Sequence, residues 1–334
     1  METLRRVLIA LLGSLGISLA VLLFIFFFTD GFINRFEEIE PAYDMSRDHA
    51  LPPRTFPDTL TVMTWNVKFG AARIDFFFDC YGDRQQMTRE EVLHNLEGLR
   101  RKIDQVKPDL LLLQEVDINS DRAGNVNMAN WFTQHLHDLP FAAYASQWRV
   151  LYLPANGIGY VNSGNLLLSR FPFTYTRRHP LPLISEQDAL TRLFYLRRNI
   201  LEAGVQVGQD TVTVLNTHLT AYAQDSTRLK QLRILHHLAD SLDRLGRTLI
   251  VGGDLNTLLP GTQKVKGFDD SVCEGEFVMD DYTREADWLV PFYRSYQPAI
   301  SLAEYQANEA QYYNHTVNGR GWWNRKLDYL FTNH

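Results

Sequence analysis

The sequence predicts a mixed α/β domain behind an apolar amino-terminal helix. Three observations carry this. Short apolar and β-branched runs recur along the chain, as strands covered on both faces do. Segments with apolar residues at helical spacing fall between them. Strands and helices therefore mingle rather than segregate, which points to layered α/β architecture. The chain has 334 residues, 45% of them hydrophobic, enough for one large domain or two ordinary ones with a proper core.

Residues 7–28 contain only apolar side chains, Gly and Ser. A bilayer-crossing helix needs roughly 20 such residues. Arg5 and Arg6 precede the run, and Asp30, Glu37, Glu38 and Glu40 follow it. The positive-inside rule then keeps residues 1–6 in the cytoplasm and sends the remainder outside, periplasmic or extracellular. The competing reading is a cleaved signal peptide, whose apolar core is normally about 7–15 residues and ends in a small-x-small site. Here the run is longer and closes on Phe26-Phe27-Phe28-Thr29-Asp30, so an uncleaved single-pass anchor is preferred. Residues 29–58, with charges of both signs and Pro41, Pro52, Pro53 and Pro57, read as a linker holding the domain off the membrane.

The globular region is expected over residues 59–334. Residues 60–67 form a first buried strand. Thr88 and Glu91 then make a capping-box pattern, Val92, Leu96, Leu99, Ile103 and Val106 follow at helical spacing, and Pro108 stops the helix. Further strands are expected at 110–116, 165–171, 199–207 and 212–219. A second amphipathic helix carries Leu232, Leu235, Ala239 and Leu242, with Gly246 as its C′ residue, and leads into a strand at 248–256. The last strand is expected at 326–331. Long connections at 71–87, 119–130 and 260–288 have the length of functional loops.

The net charge of −6 argues against a protein that holds nucleic acid mainly through a basic surface, but not against an enzyme that reaches phosphates through a metal ion. The two cysteines, Cys80 and Cys273, include no C-x-x-C pair, so a structural zinc site is disfavoured. A single disulfide and two separate thiols both remain open, because pairing depends on a Cα separation that sequence does not give.

Chemistry-bearing residues gather where apolar strands stop. One strand ends at Asn66, another at Gln114-Glu115, another at Asn216-Thr217-His218, and another at Val251-Gly252-Gly253-Asp254-Leu255-Asn256. Residues i and i+2 of a strand share a side, so Asp254 and Asn256 are expected to project into one pocket. Carboxylate plus carboxamide suits a hard cation and a phosphate oxygen better than a soft metal. Each residue alone has a bland reading: Asn66 as a turn former, Glu115 as a solvated strand end, His218 as a hydrogen-bonded structural histidine. Together they describe one crevice outside the carboxyl ends of a sheet, supplied with carboxylates, amides and a titratable imidazole.

Five segments in order, Thr64-Trp65-Asn66, Leu113-Gln114-Glu115-Val116, Asn216-Thr217-His218-Leu219, Gly253-Asp254-Leu255-Asn256 and Leu327-Asp328-Tyr329-Leu330-Phe331, resemble the signature blocks of the endonuclease/exonuclease/phosphatase family. Residues 163–172 also resemble its middle strand. The resemblance covers nearly the whole region after the linker. It implies a four-layer sandwich of two packed mixed β-sheets with helices outside. It implies that Glu115 is the main Mg²⁺ (or Mn²⁺) carboxylate, with Asn66 beside it. Asp254 is then the residue that orients or deprotonates the attacking water, and Asn256 a ligand to the scissile phosphate or its metal. His218 becomes the histidine that stabilises phosphoryl oxygens, and Asp328 the carboxylate that orients a second histidine. That histidine belongs to a further Ser-Asp-His strand, which is not found before His334. The expectation is therefore that the complete chain is longer, and that the chain as given has poor stability and severely reduced catalysis.

The resemblance implies a phosphate-ester substrate. A phospholipid headgroup fits a tethered enzyme, with Phe76-Phe77-Phe78 and Trp322-Trp323 either interfacial aromatics or core residues. Nucleic acid stands second, and soluble phosphomonoesters third. The alternative from another class is a catalytically impaired, membrane-tethered binding module of the same fold.

Overall fold

The structure is a computed structural model and describes residues 2–28, 38–47, 55–79, 82–153, 157–221, 225–268, 281–316 and 323–334. Cys80, Cys273 and Trp322 lie outside the described residues, as does most of the stretch between the apolar helix and the domain.

Helix α1, Glu2–Phe28, is a single 27-residue helix whose described side chains are exposed up to Phe24, with Ile25 half-buried. At about 1.5 Å per residue it is long enough, and between Glu2 and Ile25 apolar enough, to cross a membrane. After it the chain runs β1 Tyr43–Asp44, β2 Val62–Asn66, α2 Arg89–Val106, β3 Leu110–Asp117 and α3 Met128–His135. Then come β4 Phe141–Leu153, β5 Gly159–Ser169, β6 Phe173–Pro180, α4 Ala189–Phe194, β7 Asn199–Val207 and β8 Asp210–His218. Helix α5 Thr227–Arg244 and strand β9 Thr248–Asp254 follow. The remainder is α6 Val290–Ser295, β10 Gln297–Pro298, α7 Leu302–Ala307, β11 His315–Thr316, β12 Trp323–Arg325 and β13 Asp328–Thr332.

Two mixed sheets face each other. One has the order β1-β4-β5-β3-β2, the other β10-β13-β9-β8-β7-β6. Leu112, Leu167, Ala203, Val214 and Ile250 fill the space between them. On the outer faces, Val92, Leu96 and Ile103 of α2 and Phe132 of α3 cover the first sheet, and Leu232, Leu235 and Ala239 of α5 cover the second. The central strands β3, β5, β7, β8 and β9 are largely buried on both faces, which is why they read as apolar runs. This is the four-layer sandwich that the family resemblance implies.

Helix α2 begins where the capping box put it, with Thr88 accepting from the Glu91 N–H and Glu91 accepting from Thr88, and Gly246 after α5 has φ 71°. Two long strands, β4 and β6, were not anticipated. The first is interrupted by Gln147 and Arg149 and the second reads Phe-Thr-Tyr-Thr-Arg-Arg-His-Pro, so neither shows an apolar run. The segment read as a free linker is partly docked. Tyr43 pairs with Tyr144 as an edge strand, and Glu40 and Arg178 exchange two backbone hydrogen bonds of 3.2 and 2.7 Å.

Candidate active site

The crevice opens where the two sheets present the carboxyl ends of β2, β3, β8 and β9. Its floor is a tie between the sheets. The Gln114 amide donates to Asn216 Oδ1 at 2.8 Å, and Asn216 donates back to the carbonyls of Leu113 and Leu166 at 3.1 and 3.0 Å. These buried amide bonds fix the relative height of the strands, while Gln114 Oε1 is left without a partner.

Strand β3 does not end regularly. Leu113 and Val116 both face the outer core, and the pairing with β5 shifts between them. The extra residue is absorbed at Glu115, whose φ of 57° is left-handed. A bulge and a left-handed non-glycine residue turn a side chain out of strict alternation, at a local backbone cost. Here they aim Glu115 at the crevice. Two residues later, buried Asp117 takes both arms of Arg122 at 2.8 and 2.9 Å, and the Arg122 guanidinium lies 4.0 Å over the Phe69 ring, which braces the bulge.

Asn66 links the two halves of the site. Its amide nitrogen donates to Glu115 Oε1 and to Asp254 Oδ2, both at 2.9 Å, while its oxygen accepts from the Lys68 N–H. His218 stands beside the same pair, with Nδ1 3.9 Å from Glu115 Oε1 and Nε2 3.6 Å from Asp254 Oδ2. His218 and Asp254 are register partners across parallel strands, and Asp254 and Asp328 across antiparallel ones.

Strand β9 stops at Asp254, not at 256. Asp254 Oδ1 accepts from the Asn256 N–H at 3.0 Å, and Asn256 adopts φ 50°. This Asx turn curls the chain. Asn256 is therefore not the i+2 strand neighbour that its spacing suggested, and its amide donates to the Leu219 carbonyl at 2.9 Å. It anchors the turn next to Asp254. Asp328 meets Asn314, whose oxygen also accepts from the Leu327 N–H at 2.8 Å.

Burial sets the electrostatics. It pushes Asp254 up to about 6, against the lowering effect of its bonds to Asn66 and Asn256. Burial first, and the facing Asp254 carboxylate second, raise Asp328 well above the usual carboxyl range. Burial and then the nearby Arg198 hold His218 well below its ordinary value, which favours the neutral imidazole. Buried Lys326 is pushed down to about 8, opposed by Asp328 and Asp254.

A cavity of about 500 Å³ joins Asn66, Glu115, Asp254, Asn314 and Asp328 to a basic wall containing Lys68, Arg73 and Arg101. His218 Nδ1 and Asp328 Oδ1 are buried atoms without a hydrogen-bond partner. Among the described residues no three His, Cys, Asp or Glu side chains form a ready-made metal cage. Magnesium does not need one: it binds through one or two carboxylates, retained water and substrate phosphate oxygens. Glu115, 23% exposed by side chain and held by Asn66, fits that mode.

Of the six sequence candidates, Asn66, Glu115, Asp254 and Asp328 line the cavity; His218 stands behind Glu115 and Asp254, and Asn256 turns its amide to the Leu219 carbonyl and not into the pocket with Asp254. Lys326 and Asn314 were missed. Lys326 sits two residues before Asp328, the same spacing that drew attention to Asp254 and Asn256. Asn314 carries no sequence signal, because only the fold brings it to Asp328.

The sequence profile of the endonuclease/exonuclease/phosphatase family matches residues 63–334. No curated protein sequence matches the chain. Among solved structures it is similar to an endonuclease/exonuclease/phosphatase from Beutenbergia cavernae DSM 12333, at 18% identity and TM-score 0.53, over 82% of this chain and 64% of that one. It is also similar to the human Nocturnin catalytic domain with bound sulfate anion, at 16% identity and TM-score 0.48, over 85% of this chain and 88% of that one. TDP2 from Caenorhabditis elegans matches at 17% identity and TM-score 0.43, over 82% of this chain and 63% of that one. The chain thus spans less than two thirds of the Beutenbergia structure, a likeness that concerns the fold alone.

Proposed function

The chain belongs to the endonuclease/exonuclease/phosphatase family, and from that membership and the geometry of the crevice we propose that it is a membrane-tethered, divalent-metal-dependent phosphodiesterase. The observation that carries this reading is the Asn66 amide, 2.9 Å from both the Glu115 and Asp254 carboxylates. One carboxylate is thereby presented to a cation while the other is held beside it as a base.

Glu115 would hold Mg²⁺ (or Mn²⁺), with Asn66 fixing its carboxylate. Such an ion offsets charge on the phosphate oxygens and positions the leaving oxygen. Asp254, when ionised, orients a water and accepts its proton, a contribution typically on the order of 10²–10⁴-fold. Neutral His218 donates a hydrogen bond to a phosphoryl oxygen, where a fixed donor in a dry site acts most strongly. Asn256 keeps Asp254 in place through the Asx turn. Asp328 holds the Asn314 amide at the wall of the crevice, and Lys326 bonds the Asp328 carbonyl.

Of the two macromolecular substrate classes, a phospholipid headgroup suits an enzyme held at a bilayer by α1, whereas the net charge of −6 disfavours nucleic acid. Phe76 is fully buried and packs against Phe69 and Phe78, so these aromatics belong to the core.

The test is hydrolysis of bis(p-nitrophenyl) phosphate by the full-length protein, before and after chelation and with Mg²⁺ restored. Loss and recovery of turnover is the expected result. Turnover indifferent to chelator sinks the metal assignment, and absence of turnover on this ester, sphingomyelin, phosphatidylinositol and plasmid DNA alike favours the tethered binding module.

A further inference from the structure

We infer that residues 40–47 are a clasp across the open side of the sandwich, and that Arg178, to which the clasp is bonded, is a positioning residue for the catalytic end of β8. This rests on the reading of the crevice as a phosphodiesterase site in which His218 and Asp254 act.

The first observation is that this segment is bonded to both sheets. Strand β6 is the outermost strand of the second sheet, and β4 in the first sheet has only the two-residue β1 outside it. Glu40 and Arg178 of β6 exchange backbone bonds of 3.2 and 2.7 Å, and the Thr176 hydroxyl donates to the Ala42 carbonyl at 3.4 Å. By Tyr43 the chain has crossed to the first sheet, where it pairs with Tyr144. The Met45 and Arg47 N–H groups then donate to the Ala142 and Pro140 carbonyls, both at 2.8 Å. Ala42 packs into the core between the sheets, and Met45 against the outer core of the first. A stretch that bonds two edges and fills the space between them is part of the fold. Without it, β4 would present open donors and acceptors along one side.

The second observation is the arginine at its start. Arg178 is 1% exposed, and its register partner Leu201 belongs to the core between the sheets, so the guanidinium points inward. A buried cation persists only where polar partners replace water. Arg178 Nε donates to the Ser146 carbonyl of β4 at 2.9 Å, and Nη2 donates to the Arg197 carbonyl at 3.1 Å. Glu40 Oε1 stands 3.9 Å from Nε. Burial pushes the guanidinium down to about 10, and Glu40 is the first group to oppose this. One side chain thus joins the clasp, the first sheet and the approach to β7.

The third observation is where these bonds lead. The Ser146 carbonyl also accepts from the Asn199 amide at 3.0 Å, and the Asn199 carbonyl accepts from the Thr217 hydroxyl at 2.8 Å. Thr217 stands between His218 and Asn216, the residue that ties the sheets under the crevice. Between Arg197 and Asn199, Arg198 is buried, donates to Gln147 Oε1 at 3.3 Å, and its charge acts on both His218 and Asp254. Arg178 does not line the cavity. It fixes the stretch that carries Arg198 and Asn199 and, through Thr217, the end of β8. Buried hydrogen-bond chains of this kind hold their members to one arrangement. Residues that lie between the apolar helix and the domain in sequence are thereby part of the support of the active site.

The test uses the full-length protein and bis(p-nitrophenyl) phosphate with Mg²⁺, at a temperature well below the melt of each variant. Arg178→Met is expected to lower kcat about tenfold or more with KM little changed. Arg178→Lys, which keeps the charge and can reach one of the two carbonyls, is expected to recover part of the loss. Glu40→Ala combined with Met45→Pro loosens the clasp while Arg178 stays in place, since proline has no N–H for the Ala142 carbonyl. This variant is expected to lower kcat in the same direction. Thr88→Ala, a destabilising change outside this network, is the control and keeps the wild-type kcat. A cycle with Thr217→Val separates positioning from general weakening. If Arg178 acts through Thr217, the double variant loses about as much as the worse single one, whereas independent losses multiply. Losses that multiply, or a folded clasp variant with wild-type kcat, overturn the inference. The clasp variant decides the matter where Arg178→Met does not fold. A wild type with no Mg²⁺-dependent turnover overturns the reading of the site, and this inference with it.

Discussion

Asp254 and Asp328 face each other across antiparallel strands with little water around them, 5% exposed in the case of Asp254. Two like carboxyls so placed do not both ionise readily, and the protons belong to the pair. The stability consequence follows from the sign. A carboxyl whose folded value is raised contributes most to stability below its unfolded value, and that contribution is lost as pH rises through the folded value. For Asp254 the window lies between 3.8 and about 6. In metal-free buffer, Asp254→Asn is therefore expected to melt above the wild type at pH 7, with an advantage on the order of 2–3 kcal/mol that closes as the pH falls below 4. The variant should also lose on the order of 10²–10⁴ in turnover. Thermal melts across this range decide it: a gap that widens on acidification means that Asp254 is ionised and well paired in the native state. His218 titrates in the opposite sense, its buried neutral form becoming a liability below the ordinary 6.5, and at 3.6 Å from Asp254 it is coupled to the same substitution.

Among the elements, β9 shows why two glycines stand before Asp254. A Cβ on Gly252 would lie 2.5 Å from Leu330 Cδ2 and 2.9 Å from the Tyr329 carbonyl oxygen. One on Gly253, where φ is +130°, would lie 1.9 Å from the Thr217 carbonyl oxygen. The strand fits between β8 and β13 only because both side chains are missing. Gly253→Ala is expected to cost more than about 4 kcal/mol, read as loss of the cooperative melt or of soluble protein; a variant within about 1 kcal/mol of wild type would show that the strands can part there. Thr88→Ala, which removes only the α2 capping box, is expected to cost about 1 kcal/mol and leave turnover intact.

These elements also mark what sequence made legible. Helix α2 is announced by Thr88, Glu91 and Pro108 because capping and chain-breaking are local. The buried strands are announced by their apolar runs. Strands β4 and β6 are not, because their stability comes from neighbours distant in sequence and not from periodicity. The bulge at Glu115 was equally hidden: its residue identity pointed to the site, but its left-handed backbone is imposed by pairing with β5.

For the whole molecule, the sandwich gathers Asn66, Glu115, His218, Asp254 and Asp328 from five strands, with Asn256 in the turn after β9, and Gln114 and Asn216 lock the sheets beneath them. The docked segment around Glu40 adds an asymmetry that composition did not show, because its two backbone bonds to Arg178 fasten it near the crevice end of the domain. Turnover of bis(p-nitrophenyl) phosphate with Mg²⁺, comparing full-length wild type with Glu115→Ala, tests the central claim most directly. A cation held by Glu115 makes the expected outcome a fall of at least about 10²-fold in kcat, with the melting temperature in metal-free buffer little changed. A Glu115→Ala protein that turns over the ester at the wild-type rate would place the chemistry elsewhere in the molecule.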